Sequence, residues 1–220
     1  MTQYAAWLID LDGTLYRALP VKVAMGLELL GADRRVRNVI RAFRREHEAM
    51  RLTDLPPEAD AFAVQLARTA ERLDCTIDFV RTIVDDWMFA RPGRWLRRFQ
   101  RSSLLAEITQ FRANGGRTAL VSDYPARTKL LALHATGLFD TVIANGETER
   151  PYRLKPSPEP FLMAATALNL PTAQCLVLGD RNNADGLAAQ RAGMAFRRIP
   201  GDLIRNAIPD KQSSMSLIIS

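Results

Sequence analysis

Two carboxylates separated by one residue are the first feature of this chain with chemical potential. Asp10-Leu11-Asp12-Gly13-Thr14-Leu15 follows directly on a wholly apolar run, Ala5-Ala6-Trp7-Leu8-Ile9. In such a pair one carboxylate can serve as nucleophile and metal ligand while the other transfers protons. Gly13 lets the backbone approach a ligand closely. An Asp-Gly hairpin turn is the plain alternative, but no alternating strand follows Leu15, so the hairpin fails. Three later segments have related potential. Ser122, with Asp123 beside it, follows Thr118–Val121 and precedes a helical pattern starting near Pro125. Its hydroxyl and the nearby amides could hold a phosphate oxygen, although an ordinary helix cap by Ser122 or Asp123 is the simpler reading of that segment alone. Lys155 lies in Leu154-Lys155-Pro156-Ser157-Pro158, where the prolines limit the directions its ammonium can take. That charge could neutralise a phosphoryl group and a neighbouring carboxylate, or face water as most lysines do. Finally, Asp180 and Asp185 bracket the loop Gly179-Asp180-Arg181-Asn182-Asn183-Ala184-Asp185, as ligands of a hard cation do. Asp185 could equally cap the next helix.

The elements that must carry these residues are legible from hydrophobic patterning. Short apolar runs such as Ala5–Ile9 read as strands buried on both faces, which implies a parallel sheet covered by helices. Similar runs are Thr118–Val121, Thr141–Ala144 and Cys175–Leu178, with a weaker one at Ala195–Ile199. Helical patterns lie between them at 102–114, 125–136, 158–168 and 184–192. The first of these stops at Gly115-Gly116 and the second begins with a proline. This alternation predicts an α/β fold, a doubly wound, Rossmann-like parallel sheet. All four chemical segments then fall at the carboxyl ends of strands, where open parallel sheets bind ligands.

Residues 17–95 break the rhythm and show helical periods only. Asp33 can cap a helix running to Arg51. Asp54-Leu55-Pro56-Pro57-Glu58 opens a second, reaching about Leu73. Thr76 or Asp78 opens a third, ending near Arg91-Pro92-Gly93. The expected organisation is a core of 1–16 and 96–200, a helical insertion at 17–95, and a tail at 201–220 without a readable pattern.

Composition bounds the function classes. The chain has 220 residues, 47% apolar and 25% charged, which excludes disorder, collagen-like repeats and coiled coil. No apolar run approaches the length that spans a bilayer. The N-terminal stretch lacks the basic region and cleavage site of a signal peptide. Cys75 and Cys175 fit neither a metal nor a disulfide pattern, so a reduced, cytoplasmic protein is expected. The net charge is +6, and only four of the 30 basic residues are lysine: 22, 129, 155 and 211. Arginine suits phosphate and carboxylate partners, yet on charge alone solvated helix faces are the better reading.

Order, spacing and strand-end placement together resemble the haloacid dehalogenase-like (HAD) hydrolase superfamily. Asp10–Leu15 looks like its first motif, Ser122 its second, Lys155 its third and Gly179–Asp185 its fourth. The context Lys155-Pro156-Ser157-Pro158 looks like the branch carrying a helical cap between the first two motifs. The resemblance implies a phosphomonoester hydrolase that depends on Mg²⁺ and acts on a small phosphorylated substrate. Asp10 would form an aspartyl phosphate, and Asp12 would protonate the leaving oxygen and then activate water. Asp12 is therefore expected to have a raised pKa, coupled to Asp10. The ion would bridge Asp10, the Asp12 carbonyl and Asp180, with Asp185 acting through water or orienting Lys155. Ser122, Asp123, Lys155 and the amides around Gly13 and Thr14 would hold phosphoryl oxygens. Dehalogenases of the superfamily lack the acid–base aspartate, so Asp12 argues for phosphoryl-ester chemistry. A phosphomutase remains the alternative within catalysis, and a nucleic-acid-binding module using the arginine-rich helix the alternative outside it. On that helix Arg34, Arg37, Arg41 and Arg45 share one face. Tyr16 and Arg17, at the start of the insertion, are possible substrate contacts, whereas His47 and His134 lack metal-like companions and read as surface or core residues.

Overall fold

Five short strands, apolar throughout except at their ends, form one parallel sheet. They are β1 (Ala6–Asp10), β2 (Arg117–Ser122), β3 (Thr141–Ala144), β4 (Cys175–Gly179) and β5 (Ala195–Arg198), in the order β3-β2-β1-β4-β5. The computed structural model describes residues 4–53, 55, 56 and 59–201. The tail beyond Gly201, and Asp54, Pro57 and Glu58 of the expected second helix opening, lie outside the described residues.

Side chains alternate across each strand, and both faces are covered. Ala6, Leu8, Ala119, Val121, Ile143 and Val177 pack on one side against Phe161, Ala164, Ala188 and Ala189. Those four belong to α8 (Glu159–Ala167) and α9 (Leu187–Arg191). Ile9, Leu120 and Leu178 face the other side, against Leu104, Ile108 and Leu130. These come from α6 (Ser102–Ala113) and α7 (Arg127–Ala132). Because both faces of β1, β2 and β4 are covered, these strands need no polar alternation, which is why they read as continuous apolar runs, whereas the edge strand β5 is partly exposed and ends in Arg197 and Arg198. In register, Asp10 pairs with Val121 and Ile9 with Leu178, so the carboxyl ends of β1, β2 and β4 finish side by side.

Between β1 and β2 stand α1 (Ala18–Leu30), α2 (Arg34–Met50), α3 (Ala61–Leu73), α4 (Ile77–Val84), a π-helical turn at Asp85–Ala90, and α5 (Gly93–Arg98). Asp33 caps α2 and Thr76 caps α4, as the sequence suggests. The cap of α3 is Asp60, whose side chain accepts from the amides of Phe62 and Ala63. This helix starts later than expected because the prolines at 56 and 57 precede it. Neither α1 nor α5 stands out in the sequence. Helix α1 is apolar nearly all round and has no side-chain N-cap, so its period is faint. Pro92-Gly93 resembles a terminator but opens α5, since proline is tolerated in a first turn. The insertion consequently runs past residue 95. The chain leaves and rejoins the core through a paired neck, where Tyr16 bridges Gln100 and Arg101 N donates to Leu15 O at 2.8 Å.

Two core helices also differ from expectation. The pattern at 125–136 shortens to α7 plus a 3-10 turn at Thr136–Leu138, with His134 at φ +53 between them. The pattern at 184–192 begins as a π turn over Asn182–Gly186 before α9. Helices α2, α3 and α4 bury a core of their own, in which Phe43 is fully enclosed and meets Phe62 edge-on at 5.9 Å. Phe43→Ala should therefore cost about 3–5 kcal/mol of stability, read as a lower urea midpoint. An unchanged midpoint would show that the insertion contributes nothing to global unfolding.

Candidate active site

Asp10 closes β1 and is buried, so its carboxylate needs partners. Thr14 Oγ1, one turn on, donates to Asp10 Oδ2 at 2.8 Å, and Lys155 Nζ donates to Oδ1 at 2.5 Å. Lys155 is 1% exposed and also donates to Asp185 Oδ1 at 2.7 Å. Its proline-bounded loop thus aims it inward, and the solvated-lysine alternative is set aside. Burial opposes its charge, but Asp10, Asp185 and Asp123 outweigh that and hold the ammonium firmly protonated. Burial pushes the Asp10 carboxyl up to about 7 against the pull of Lys155, with Asp185 and Asp180 adding to the rise.

Asp10, Asp180 and Asp185 each offer an oxygen, all within 4.8 Å of one another. Three carboxylates facing one ammonium leave an excess of two negative charges when ionised. Hard oxygen donors with that charge fit a divalent cation such as Mg²⁺. Two glycines permit the approach. A Cβ on Gly13, which takes φ +99°, would lie 2.3 Å from Asp180 Oδ2, and one on Gly179 would lie 2.5 Å from the Asp185 carboxyl carbon. Asp185 also accepts from the Arg181 amide at 3.2 Å and so braces the loop that carries Asp180.

Asp12 lies across the cleft and departs from expectation. Lys129 Nζ donates to its Oδ1 at 2.6 Å and its Oδ2 at 2.8 Å, and the Tyr16 hydroxyl donates to Oδ1. Burial alone would raise its pKa, but these partners, Lys129 foremost, hold it below the ordinary aspartate value. The raised carboxyl of the pair is Asp10, the reverse of the sequence expectation, because nothing in the local sequence shows Lys129 arriving from α7.

Ser122 is buried, and its Oγ accepts from the Tyr124 amide at 3.2 Å, a local turn rather than a helix cap. The N-terminus of α7 is satisfied instead by Glu147, whose Oε1 accepts from the amides of Ala126 and Arg127. Expected as a phosphate holder, Asp123 is engaged elsewhere. Arg51 Nη2 donates to its Oδ2 at 2.6 Å and the Lys155 amide to its Oδ1 at 3.1 Å. Despite burial, Lys155 and Arg51 keep it ionised. A carboxylate would repel a phosphoryl group, so this side chain positions Arg51 instead.

A cleft of about 280 Å³ joins these groups, lined by Asp10, Asp12, Asp123 and Asp180 from the sheet edge and by Arg44, His47 and Arg51 from α2. Tyr16 is in the lining, whereas Arg17 is exposed and outside it. On the arginine-rich face of α2, Arg34, Arg41 and Arg45 are exposed and Arg37 donates to Leu30 O. Two other arginines of this segment line the cleft: Arg44 within the helix, and Arg51 at its C-cap, which also donates to Lys155 O at 3.0 Å. His47 is core: it is 1% exposed and stacks on Tyr124 at 4.0 Å. Lys129, Arg51 and Arg181 escape sequence reasoning. The scarcity of lysine, with Lys129 just after the second motif, is the one signal that pointed to any of them.

Comparison with known proteins agrees with the geometry. The chain matches the family of haloacid dehalogenase-like hydrolases over residues 4–193 and belongs to it. No curated protein matches it in sequence. Among solved structures, the L-2-haloacid dehalogenase of Xanthobacter autotrophicus with chloropropionic acid covalently bound is 17% identical. That pairing covers 89% of this chain and 77% of the other, with a TM-score of 0.62. A predicted phosphoglycolate phosphatase from Haemophilus somnus is 22% identical, with 89% and 85% covered and a TM-score of 0.53. A protein assigned as a β-phosphoglucomutase, from Thermotoga maritima, is 18% identical, with 90% and 86% covered and a TM-score of 0.53. These likenesses establish the α/β fold. Among the described residues no helix is long and apolar enough to cross a membrane.

Two outcomes follow from this geometry. Gly13→Ala must displace the Asp180 carboxylate and should weaken Mg²⁺ binding, measured by calorimetry, by roughly 10- to 100-fold; unchanged affinity would show that Asp180 has room to move. His47 is held neutral by burial, with Asp123 opposing, and its pKa falls from 6.5 to about 4. Between those values the unfolded chain takes up a proton that the native state does not, so stability declines as pH falls through the window. The loss attributable to His47 is about 3 kcal/mol by pH 4. His47→Gln should flatten urea midpoints between pH 6.5 and 4; parallel profiles for the two proteins would contradict this.

Proposed function

We propose that the protein is a Mg²⁺-dependent phosphomonoesterase acting on a small phosphorylated metabolite through an aspartyl phosphate on Asp10. The observation that carries the reading is the pairing of two unlike carboxylates in one cleft. Asp10 is gripped by Thr14 and Lys155 beside a dication-sized acidic cluster, and Asp12 stands two residues on with a separate set of donors. A dehalogenase needs the first carboxylate only.

The chain's own groups divide the work. Asp10 attacks phosphorus through a carboxylate oxygen: that O–P bond forms and the bond from phosphorus to the leaving oxygen breaks. Asp12, ionised in the free protein, takes up a proton from solvent as substrate binds and passes it to the leaving oxygen. A phosphoryl group brought alongside raises the proton affinity of Asp12, because like charges disfavour ionisation. In the second half Asp12 accepts a proton from water, which attacks phosphorus and frees Asp10. Lys155 sits where charge develops on the transferring oxygens. Mg²⁺, held by Asp10 and Asp180 with Asp185 behind, would draw charge from those oxygens. The helices between β1 and β2 form the cap, and closing them over the cleft excludes water.

Phosphate release from sugar phosphates, phosphoglycolate, nucleotides and p-nitrophenyl phosphate, with and without Mg²⁺, tests the reading. Wild type should turn over at least one substrate only with Mg²⁺. Asp10→Asn should lose at least about 10³-fold, and Asp12→Asn about 10²- to 10⁴-fold on alkyl esters. Chloride release from 2-chloropropionate without any phosphatase activity would overturn it.

A further inference from the structure

Lys129 has a place in this site that the fold does not require. It lies in the first turn of α7, is 5% exposed, and spends its ammonium on both oxygens of Asp12. Two neighbouring rings, their centroids 6.4 Å apart, lie against that ammonium: Phe89 from the helical insertion at 5.6 Å and Tyr124 from the segment after β2 at 5.5 Å. Tyr124 in turn stacks on His47. Among the described residues, Asp12 is the one carboxylate with which Lys129 pairs. A leucine or methionine could pack against the two rings without desolvating a charge. The ammonium is therefore explained by Asp12 rather than by packing.

A carboxylate on a turn two residues beyond a strand end can rotate about both side-chain torsions. Two bonds from one ammonium fix its plane, and the Tyr16 hydroxyl adds a third contact on Oδ1. Proton transfer demands heavy atoms within about 3 Å, and a 1 Å misplacement can cost about 10²-fold. We infer that Lys129 is a positioning residue for proton transfer: seated against the neighbouring Phe89 and Tyr124 rings, its ammonium holds the Asp12 carboxyl where the leaving oxygen will be. This rests on the phosphomonoesterase reading, since it requires Asp12 to exchange a proton with that oxygen. Because one of the two rings belongs to the insertion, the alignment of Asp12 is completed by residues from both parts of the fold.

A double-mutant cycle tests it. Lys129→Met should lower kcat on an alkyl phosphate by about 10²-fold with KM within about threefold. On p-nitrophenyl phosphate, whose leaving group departs without help, the pre-steady-state release of p-nitrophenol, which reports the first half alone, should slow by less than about tenfold. In an Asp12→Asn background the Lys129 substitution should cost no more than about twofold further, since its route of action is already gone. Lys129→Gln, which can donate to one oxygen but carries no charge, should fall between wild type and Lys129→Met, and takes its place in the cycle if the methionine variant does not fold. A raised KM with intact kcat would make Lys129 a substrate-binding group and overturn the proposal, as would equal losses in the rate of leaving-group release from both esters or full additivity with Asp12→Asn. If wild type turns over alkyl phosphates and Asp12→Asn does so equally well, the acid–base reading of Asp12 itself falls. That result is distinct from a failure of Lys129 alone.

Discussion

Lys155 carries a full positive charge where water does not reach it, and the arrangement of the rest of the site follows from that. Removing an ammonium from solvent is tolerated only when partners replace its hydration. Here the partners are Asp10 at the end of β1 and Asp185 behind the loop that follows β4. Those strands are neighbours in the sheet, so one side chain ties together two of its carboxyl ends. Asp185 is thereby committed to Lys155 and to the Arg181 amide, which leaves Asp10 and Asp180 as the members of the three-acid cluster that line the cleft. Withdrawing either acid would leave the lysine underpaired, and withdrawing the lysine would leave the acidic cluster without its directly bonded cation.

The insertion is connected to the same centre. Arg51, at the end of α2, bridges the Lys155 carbonyl and the Asp123 carboxylate, while Asp123 also accepts from the Lys155 amide. Beside it, His47 stacks on Tyr124, and Tyr124 flanks Lys129. A polar bridge and an aromatic column therefore join the helical segment to the sheet edge, both beside the cleft that Asp10 and Asp12 line. Substrate that enters the cleft meets groups from both parts at once.

Two basic centres divide the site electrostatically. Lys155 faces Asp10 and Asp185, and Lys129 faces Asp12. Each carboxylate of the Asp10–Asp12 pair has its own cation, so the two titrate in different surroundings although one residue separates them. Asp10 is pushed up by burial and by two acidic neighbours, and Asp12 is held down by Lys129. Such divergence is how two like groups acquire different tasks.

The sheet, its strand-end motifs and the helical character of the insertion were legible in the sequence because each rests on local physics. Apolar runs such as Ala6–Ile9 and Cys175–Leu178 have to be buried on two faces, Asp33 and Thr76 cap the helices that follow them, and Asp10, Lys155 and Asp180 stand directly after or between elements whose order dictates convergence at one edge. The neck at Tyr16 and Gln100 was not legible, since it pairs residues more than 80 positions apart. Nor were α1, whose apolar residues point in every direction, and the engagement of Asp123 with Arg51. Lys129 is the clearest case: Leu130 beside it packs into the core, and only the approach of α7 to the end of β1 turns the neighbouring ammonium toward Asp12. Side-chain type and spacing determined which chemistry the chain carries. Which charge stands beside which, and hence which carboxylate holds its proton, was decided by contacts between distant segments, because electrostatic energy depends on separation in space and burial rather than on order along the chain.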